Sequence, residues 1–359
     1  MCKEIQVKNL TITSTIKLRL NKKQETVLNG WLWNLTGVYN WAIKKIEYNA
    51  QNKIYFSGFD FVNLLADHGK KLGIPSHTIQ GVLSQAYTAW SRCFKKIGGK
   101  PKLKGQRNKL NSILFPDPIH SPKENHISIP NIGKIRYHKQ ELPEGVIKCG
   151  RIIKRASGWY LCLFIDAERA TIVRTGYGKI GIDPGFKSLL TLSNGEKIEH
   201  PRELETVEKR LGQAQRGHNK ILAARLSERR ANRVKDRNHK LSLRLVKENV
   251  FIAFSADNHK SIARKFGKSV SSSGHFQLRQ MISYKSHIGG TEYIETNPRN
   301  STKMCATCGA LTGPTGLSQL SVRHWDCACG AHNDRDINAA VNVLNAGAGV
   351  AHEVHHAAA

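Results

Sequence analysis

Lys179-Ile180-Gly181-Ile182-Asp183-Pro184-Gly185 is the stretch on which the fold turns. Its apolar residues read as a buried strand that stops on an acid and a Gly turn. Leu189-Leu190-Thr191-Leu192-Ser193 follows, then the turn Asn194-Gly195 and Lys197-Ile198, which predicts strands joined through a tight turn. Residues 203–249 carry helical spacing: Leu204, Val207 and Leu211, then Ile221, Leu222 and Leu226, then Leu241, Leu245 and Val246. Gly212 and Gly217 interrupt it, so two antiparallel helices are expected rather than one rod. Residues 250–254 read as a buried strand, 276–286 as a helix, 291–295 as a strand, and a last helix starts at Asp336.

Upstream, residues 11–20 alternate as a half-buried strand does, with Ile12, Ile16, Leu18 and Leu20 on one face and Lys17 and Arg19 on the other. Asn21 then caps a helix whose stripe includes Leu28, Trp31, Leu35, Val38, Tyr39 and Trp41. The stripe is read as helix core rather than as a platform for stacked bases. A second helix is expected over 77–97, with Ile79, Val82, Leu83, Ala86, Trp90 and Phe94 on one side. Residues 112–173 return to short strands punctuated by turns, which suggests a small β-barrel or curled sheet with the helices inserted into it.

Composition narrows the function. The 359 residues carry 56 Lys+Arg against 27 Asp+Glu, a formal charge of +29. A polyanionic partner relieves such self-repulsion, so nucleic acid is expected. The cations gather in Lys100, Lys102, Lys104, Arg107 and Lys109, a Gly/Pro-broken segment without an acid. A second group lies on the long helical region: Arg229, Arg230, Arg233, Lys235, Arg237 and Lys240. No run reaches the ~20 apolar residues of a membrane span, and the first residues lack the apolar core of a secretory leader, so a cytoplasmic, nucleoid-associated protein is expected.

Four of the eight cysteines crowd into Cys305-Ala306-Thr307-Cys308 and Cys327-Ala328-Cys329, with residues 309–326 between them. Two such knuckles describe a zinc ribbon in which four thiolates complete a tetrahedron, a structural site with no open position. The second knuckle is one residue tighter than usual, which leaves His324 or His332 as a replacement ligand, and free thiols as the alternative to any metal. His352, His355 and His356 belong to an end expected to be disordered.

The order of these elements resembles a ribonuclease-H-like nuclease core. At the level of motifs the chain resembles the TnpB (OrfB) family of IS200/IS605- and IS607-type transposons, relatives of the type V CRISPR effectors with a RuvC-type nuclease domain. The resemblance rests on Tyr39-Asn40-Trp41-Ala42, Gly99-Lys100-Pro101-Lys102-Leu103-Lys104, Ile129-Pro130-Asn131-Ile132-Gly133-Lys134-Ile135, Gly181-Ile182-Asp183-Pro184-Gly185, His239-Lys240-Leu241-Ser242, the Cys knuckles and Asp334-Arg335-Asp336-Ile337-Asn338-Ala339-Ala340. It implies an α+β multidomain chain: a β-barrel domain (1–20 and 106–175), an inserted helical domain (21–105), a RuvC-like α/β domain (176–302 and 332–346, with the basic insertion 203–249), a zinc ribbon (303–331) and a disordered tail (347–359). It also implies a guide RNA and a double-stranded DNA target as partners, and magnesium as the nuclease cofactor.

Asp183 and Asp336 fall on the first and third acids of the family's Asp-Glu-Asp triad. The middle position falls on Ser255, and the alternative position before the first knuckle holds Asn297-Pro298-Arg299. Asp257 and Glu295 are the nearest carboxylates. Magnesium demands oxygen ligands in near-octahedral array, so the exchange of a carboxylate for a hydroxyl weakens the site. The expectation is RNA-guided DNA binding with cleavage impaired. An active endonuclease that uses Asp257 or Glu295, and a non-enzymatic zinc-ribbon repressor, are the alternatives.

Overall fold

The structure is a computed structural model that describes residues 10–65, 67–120, 125–167, 172–256, 267, 270, 272–297, 299–315, 319 and 321–357. The chain divides into two compact units, 1–169 and 170–359.

In the first unit, strand β1 (Leu10–Arg19) leads through Asn21 into helix α1 (Lys22–Gln51). Asn21 Oδ1 accepts the Gln24 amide at 2.8 Å and Gln24 Oε1 accepts the Asn21 amide at 3.2 Å, a reciprocal cap. Helices α2 (Gly58–Asn63), α3 (His68–Leu72) and α4 (Ser76–Phe94) follow. Strands β2 (Ser112–Phe115), β3 (His126–Ile129), β4 (Gly133–Tyr137), β5 (Val146–Arg155) and β6 (Gly158–Ala167) complete an antiparallel sheet in the order β2-β5-β6-β1-β4-β3. β1 pairs with β6 along Leu10–Lys17 and then with β4 at Leu18 and Arg19, which joins the two halves.

The sheet is a half-barrel. Among the described residues no pairing joins β2 to β3, so of the small β-barrel or curled sheet expected, the sheet takes the open, curled form. The helices cover β2 instead: Leu114 lies against Gly81 of α4, and Phe115 meets Trp31 of α1 with ring centroids 6.4 Å apart. Helices and sheet share one hydrophobic core, from Ile16 and Ile135 through Leu35 and Ile43 to Leu83 and Trp90. The stripe of α1 is core from Leu28 to Tyr39, whereas Trp41, read into it, is 38% exposed, and Phe94, expected inside, is 58% exposed.

The second unit begins with β7 (Gly178–Pro184), β8 (Leu190–Leu192) and β9 (Lys197–Ile198), then helices α5 (Arg202–Arg216) and α6 (Lys220–Glu248). These two form the expected hairpin, turning at Gly217–Asn219 with Val207, Leu211, Ala214 and Leu226 between them, whereas Gly212, read as an interruption, lies inside α5. Strand β10 (Asn249–Ser255), helix α7 (His275–Gly289), β11 (Glu292–Thr296), the ribbon β12 (His324–Asp326) and β13 (His332–Asp334), and helix α8 (Arg335–Ala357) follow. The sheet order is β11-β10-β7-β8-β9, parallel across β11, β10 and β7 and antiparallel across β7, β8 and β9.

Both faces of this sheet are covered, which explains the near-continuous apolar runs of β7 and β10. Ile180, Ile182, Ile252 and Phe254 pack with Leu241, Leu245, Leu278 and Ile282 of α6 and α7. Phe251 and Ala253 pack with Val343 of α8 on the other side. Gly181 is needed there, because a Cβ would run into the Ala340 carbonyl and Leu344. Helix α8 continues to Ala357, past residue 346, beyond which the sequence reading expects disorder. Gly347 does not break it; it lets the helix press on Ala253, Phe251 and Thr296. Among the described residues no helix is long and apolar enough to cross a membrane.

Candidate functional site

Register aligns a row of side chains across the second sheet. Lys197 stands opposite Thr191, and Thr191 opposite Asp183. On the other side Phe254 stands opposite Ile182, so Ser255 is the next position beside Asp183, and Ser255 pairs with Thr296. Side chains two apart on a strand share a face, so Asp183 faces α8 as Gly181 does, and Ser255 does so with Ala253.

The first turn of α8 lies over this row. Lys197 Nζ is 2.7 Å from Asp334 Oδ2, while Asp334 Oδ1 accepts the amides of Asp336 (3.0 Å) and Ile337 (3.1 Å) as the helix cap. Burial works against ionisation of Asp334, but Lys197 and these two amides outweigh it and hold the carboxyl below the usual range. Asp336 lies one turn before Ala340, whose carbonyl stands over Gly181, two residues before Asp183 on the same face of β7. Arg323 Nη1 pairs with Asp336 Oδ2 at 3.3 Å.

Ser255 is fully buried, and its Oγ has no hydrogen-bond partner among the described residues. Glu295 is not brought to this group. It shares a row with Phe254 and Ile182, on the face toward α7, where Arg279 Nε (3.4 Å) and the Tyr293 hydroxyl (3.1 Å) hold it. Asp257 lies outside the described residues. Among the described residues, the polar groups near the start of α8 are thus the carboxylates of Asp183, Asp334 and Asp336, the buried neutral hydroxyl of Ser255 and the Arg323 guanidinium.

The cysteines form a second centre. Cys305, Cys308, Cys327 and Cys329 place their sulfurs within 4.8 Å of one another. Cys305 and Cys329 are 3.9 Å apart and Cys308 and Cys327 are 3.6 Å apart. A tetrahedron built on Zn–S of ~2.3 Å has S···S edges of ~3.8 Å, so the residues fit zinc. The tight second knuckle is accommodated by Gly330 at φ +85°, whose amide reaches the Cys327 carbonyl at 2.9 Å. Neither histidine is drawn in: His332 Nδ1 bonds Asp326 at 2.6 Å and stacks on His324. The Cys308 amide, with that of Thr307, holds the Cys305 thiol down to about 6.

α8 also anchors this ribbon. Asn338 and Asn342 donate to the Met304 carbonyl at 2.8 and 2.7 Å, and Asn338 Oδ1 accepts the Ala306 amide at 2.8 Å. Sequence reasoning missed Asp334, Lys197, Arg323, Asn338 and Asn342. The signal for the cap was present, an Asp two residues before the first-turn Asp336.

The basic residues divide by environment. Lys102, Arg107 and Lys109 are exposed; the Asn40 amide clamps the segment, its Oδ1 accepting from Lys104 N at 2.8 Å and its Nδ2 donating to Lys104 O at 2.7 Å. Lys104 lies over the Tyr39 ring, and Lys100 pairs with Glu47. On α6, Arg229, Lys235 and Lys240 are exposed and Arg230 and Arg233 half-buried. Arg237 turns inward, donating to Asn238 Oδ1 at 2.9 Å and to the Ser273 carbonyl, and burial pulls its guanidinium down to about 10. Arg237 is thus a bolt between α6 and the start of α7 rather than a surface cation.

Residues 275–343 match the family model Cas12f1-like, TNB domain. The chain is 31% identical over 294 residues to a putative RNA-guided DNA endonuclease of Streptomyces pristinaespiralis, covering 76% of this chain and 72% of that relative. It is 25% identical over 304 residues to the putative RNA-guided DNA endonuclease InsQ of Escherichia coli K12, covering 76% and 75%. A TnpB-like protein of Acanthamoeba polyphaga mimivirus, L79, is 27% identical over 196 residues. Among solved structures, Cas12f1 in complex with sgRNA and target DNA matches with a TM-score of 0.57 at 14% identity, covering 90% of this chain and 83% of that one. This last match is a likeness of fold.

Proposed function

The chain belongs to the TnpB family, and on that premise we propose that it is an RNA-guided DNA-binding protein whose nuclease centre is impaired in cleavage. The RuvC-like reading of the second unit is supported by its strand order. Three antiparallel strands, β9-β8-β7, continue into two parallel ones, β10 and β11, with α8 on one face and α6 and α7 on the other. Ribonuclease-H-like cores gather their carboxylates at the ends of such strands, here Asp183 at the end of the central strand β7 and Asp336 in α8.

One observation carries the impairment: the position between those two acids is Ser255, buried, neutral and without a hydrogen-bond partner among the described residues. Magnesium, where such cores bind it, supplies charge to the attacking and leaving oxygens of a phosphodiester. A loss of only ~3 kcal/mol of transition-state stabilisation lowers the rate more than a hundredfold. Guide and target binding rest on other groups, among them the exposed cations of α6 and of residues 100–109, and are retained. Zinc at the four cysteines has a structural role, since four protein ligands leave no open position.

The test is to isolate the full chain with its co-expressed RNA and offer it matched and mismatched duplex in Mg²⁺. Retention of the matched duplex without scission is expected. Sequence-blind binding with no copurifying RNA would leave a zinc-ribbon nucleic-acid binder instead.

A further inference from the structure

The first unit holds a cavity of about 390 Å³ between the end of α1 and the end of α4, within the ~300–1,000 Å³ range of small-ligand sites. Its wall is aromatic: Tyr55 and Phe56 from the connection after α1, Trp90 and Phe94 from α4. Trp90 and Phe94 are stacked, with centroids 5.3 Å apart and planes at 24°, and Phe94 is 58% and Tyr55 89% exposed. Large aromatic faces left in water mark an interaction site. Asn49 and Ser91 are the non-aromatic polar residues of the wall, and Asn49 is the amide among them. It is 5% exposed, and its Oδ1 is buried without a hydrogen-bond partner among the described residues, so it bears a desolvation cost until something donates to it.

The surroundings decide between occupants. Lys53 directly precedes the lining segment 54–56, and Lys95 and Lys96 directly follow Phe94; all three are exposed. A second copy of a chain of charge +29 is repelled by that rim, whereas a nucleic-acid strand is drawn to it. Stacked rings, one buried amide acceptor and flanking cations are what an unpaired base requires: two faces to stack, an amino group to donate, and a phosphate on either side.

We infer that this cavity binds a single unpaired, amino-bearing base (adenine, cytosine or guanine) of the nucleic-acid strand held by the protein. The inference rests on the proposed nucleic-acid function and names a subsite within it. Stacking engages Tyr55 and Phe94, and Asn49 Oδ1 accepts from the base amino group.

The probe is a short single-stranded oligonucleotide that carries 2-aminopurine, whose amino group and ring mimic adenine, with an abasic oligonucleotide of equal length as control. The full chain is expected to quench the 2-aminopurine emission and to bind the base-containing strand about tenfold more tightly than the abasic one. A Tyr55→Ala/Phe94→Ala variant, altered only at exposed rings, is expected to lose both the quenching and the preference while its affinity for the abasic strand stays unchanged. Unchanged quenching and preference in that variant overturn the inference alone. So does a shift from dimer to monomer in sedimentation without a change in oligonucleotide binding, which marks a copy-to-copy interface. Failure of the unmodified chain to bind either strand overturns the nucleic-acid reading itself.

Discussion

Lys197 Nζ and Asp334 Oδ2 lie 2.7 Å apart and tie the edge strand β9 to the first turn of α8. The other oxygen of Asp334 caps that helix, so one carboxylate fixes both the height and the start of the element that carries Asp336. Asp334→Ala is expected to cost about 1 kcal/mol from the cap. Asp334→Asn keeps a capping oxygen and should lose less. The depressed carboxyl gives the sign of the pH effect: its stabilisation is complete above the ordinary Asp range near ~4 and is lost as pH falls through the lower folded value. Urea melts of the native chain and Asp334→Asn should therefore converge in acid and separate above it.

Removal of zinc is the second prediction. The ribbon around Cys305, Trp325 and Cys327 has only a small apolar cluster, so metal supplies much of its folding energy. One equivalent of zinc per chain is expected by elemental analysis, and a chelator should lower the melting temperature. Cys308→Ser and Cys329→Ser should reproduce the loss, whereas His332→Ala, at a residue occupied by Asp326, should leave the zinc content unchanged.

Substitutions on α6 should separate stability from affinity. Arg237→Ala is expected to cost roughly 1.5–3 kcal/mol, since it breaks charge-assisted hydrogen bonds to Asn238 and Ser273. Lys235→Ala, at an exposed position, should leave melting unchanged. It should weaken binding across all sequences and reduce the slope of log affinity against log salt by about 1.

Gly181→Ala tests the seating of α8. The added methyl meets the Ala340 carbonyl, which cannot rotate away, so a destabilisation of about 1–3 kcal/mol is expected by denaturant titration. The same substitution at Gly195, whose surroundings are open, clashes with nothing; only its positive φ of 90° opposes a side chain there.

What was legible in the sequence was local. The strand that ends on Asp183, the buried stripe of α1, the α5–α6 hairpin and the cysteine tetrad are each set by residues close in sequence or by a fixed ligand chemistry. What was not legible depends on pairing at a distance. The contact between Lys197 and Asp334 needs the register of β7, β8 and β9, and the inward turn of Arg237 needs the carbonyl of Ser273. Gly347 reads as a helix breaker until Ala253 and Phe251 are placed against it. Glu295 and Ser255 are near in the strand pairing but on opposite faces, a distinction that a single residue of register decides.

Restoration of the missing acid tests the central claim most directly. RNA-loaded chain and its Ser255→Glu variant are compared for scission of matched duplex in Mg²⁺, with Asp183→Asn added to each as control. The account predicts little or no cutting by the unmodified chain, a gain of more than a hundredfold in Ser255→Glu, and loss of that gain with Asp183→Asn. Vigorous cutting by the unmodified chain, abolished by Asp336→Asn, would contradict it.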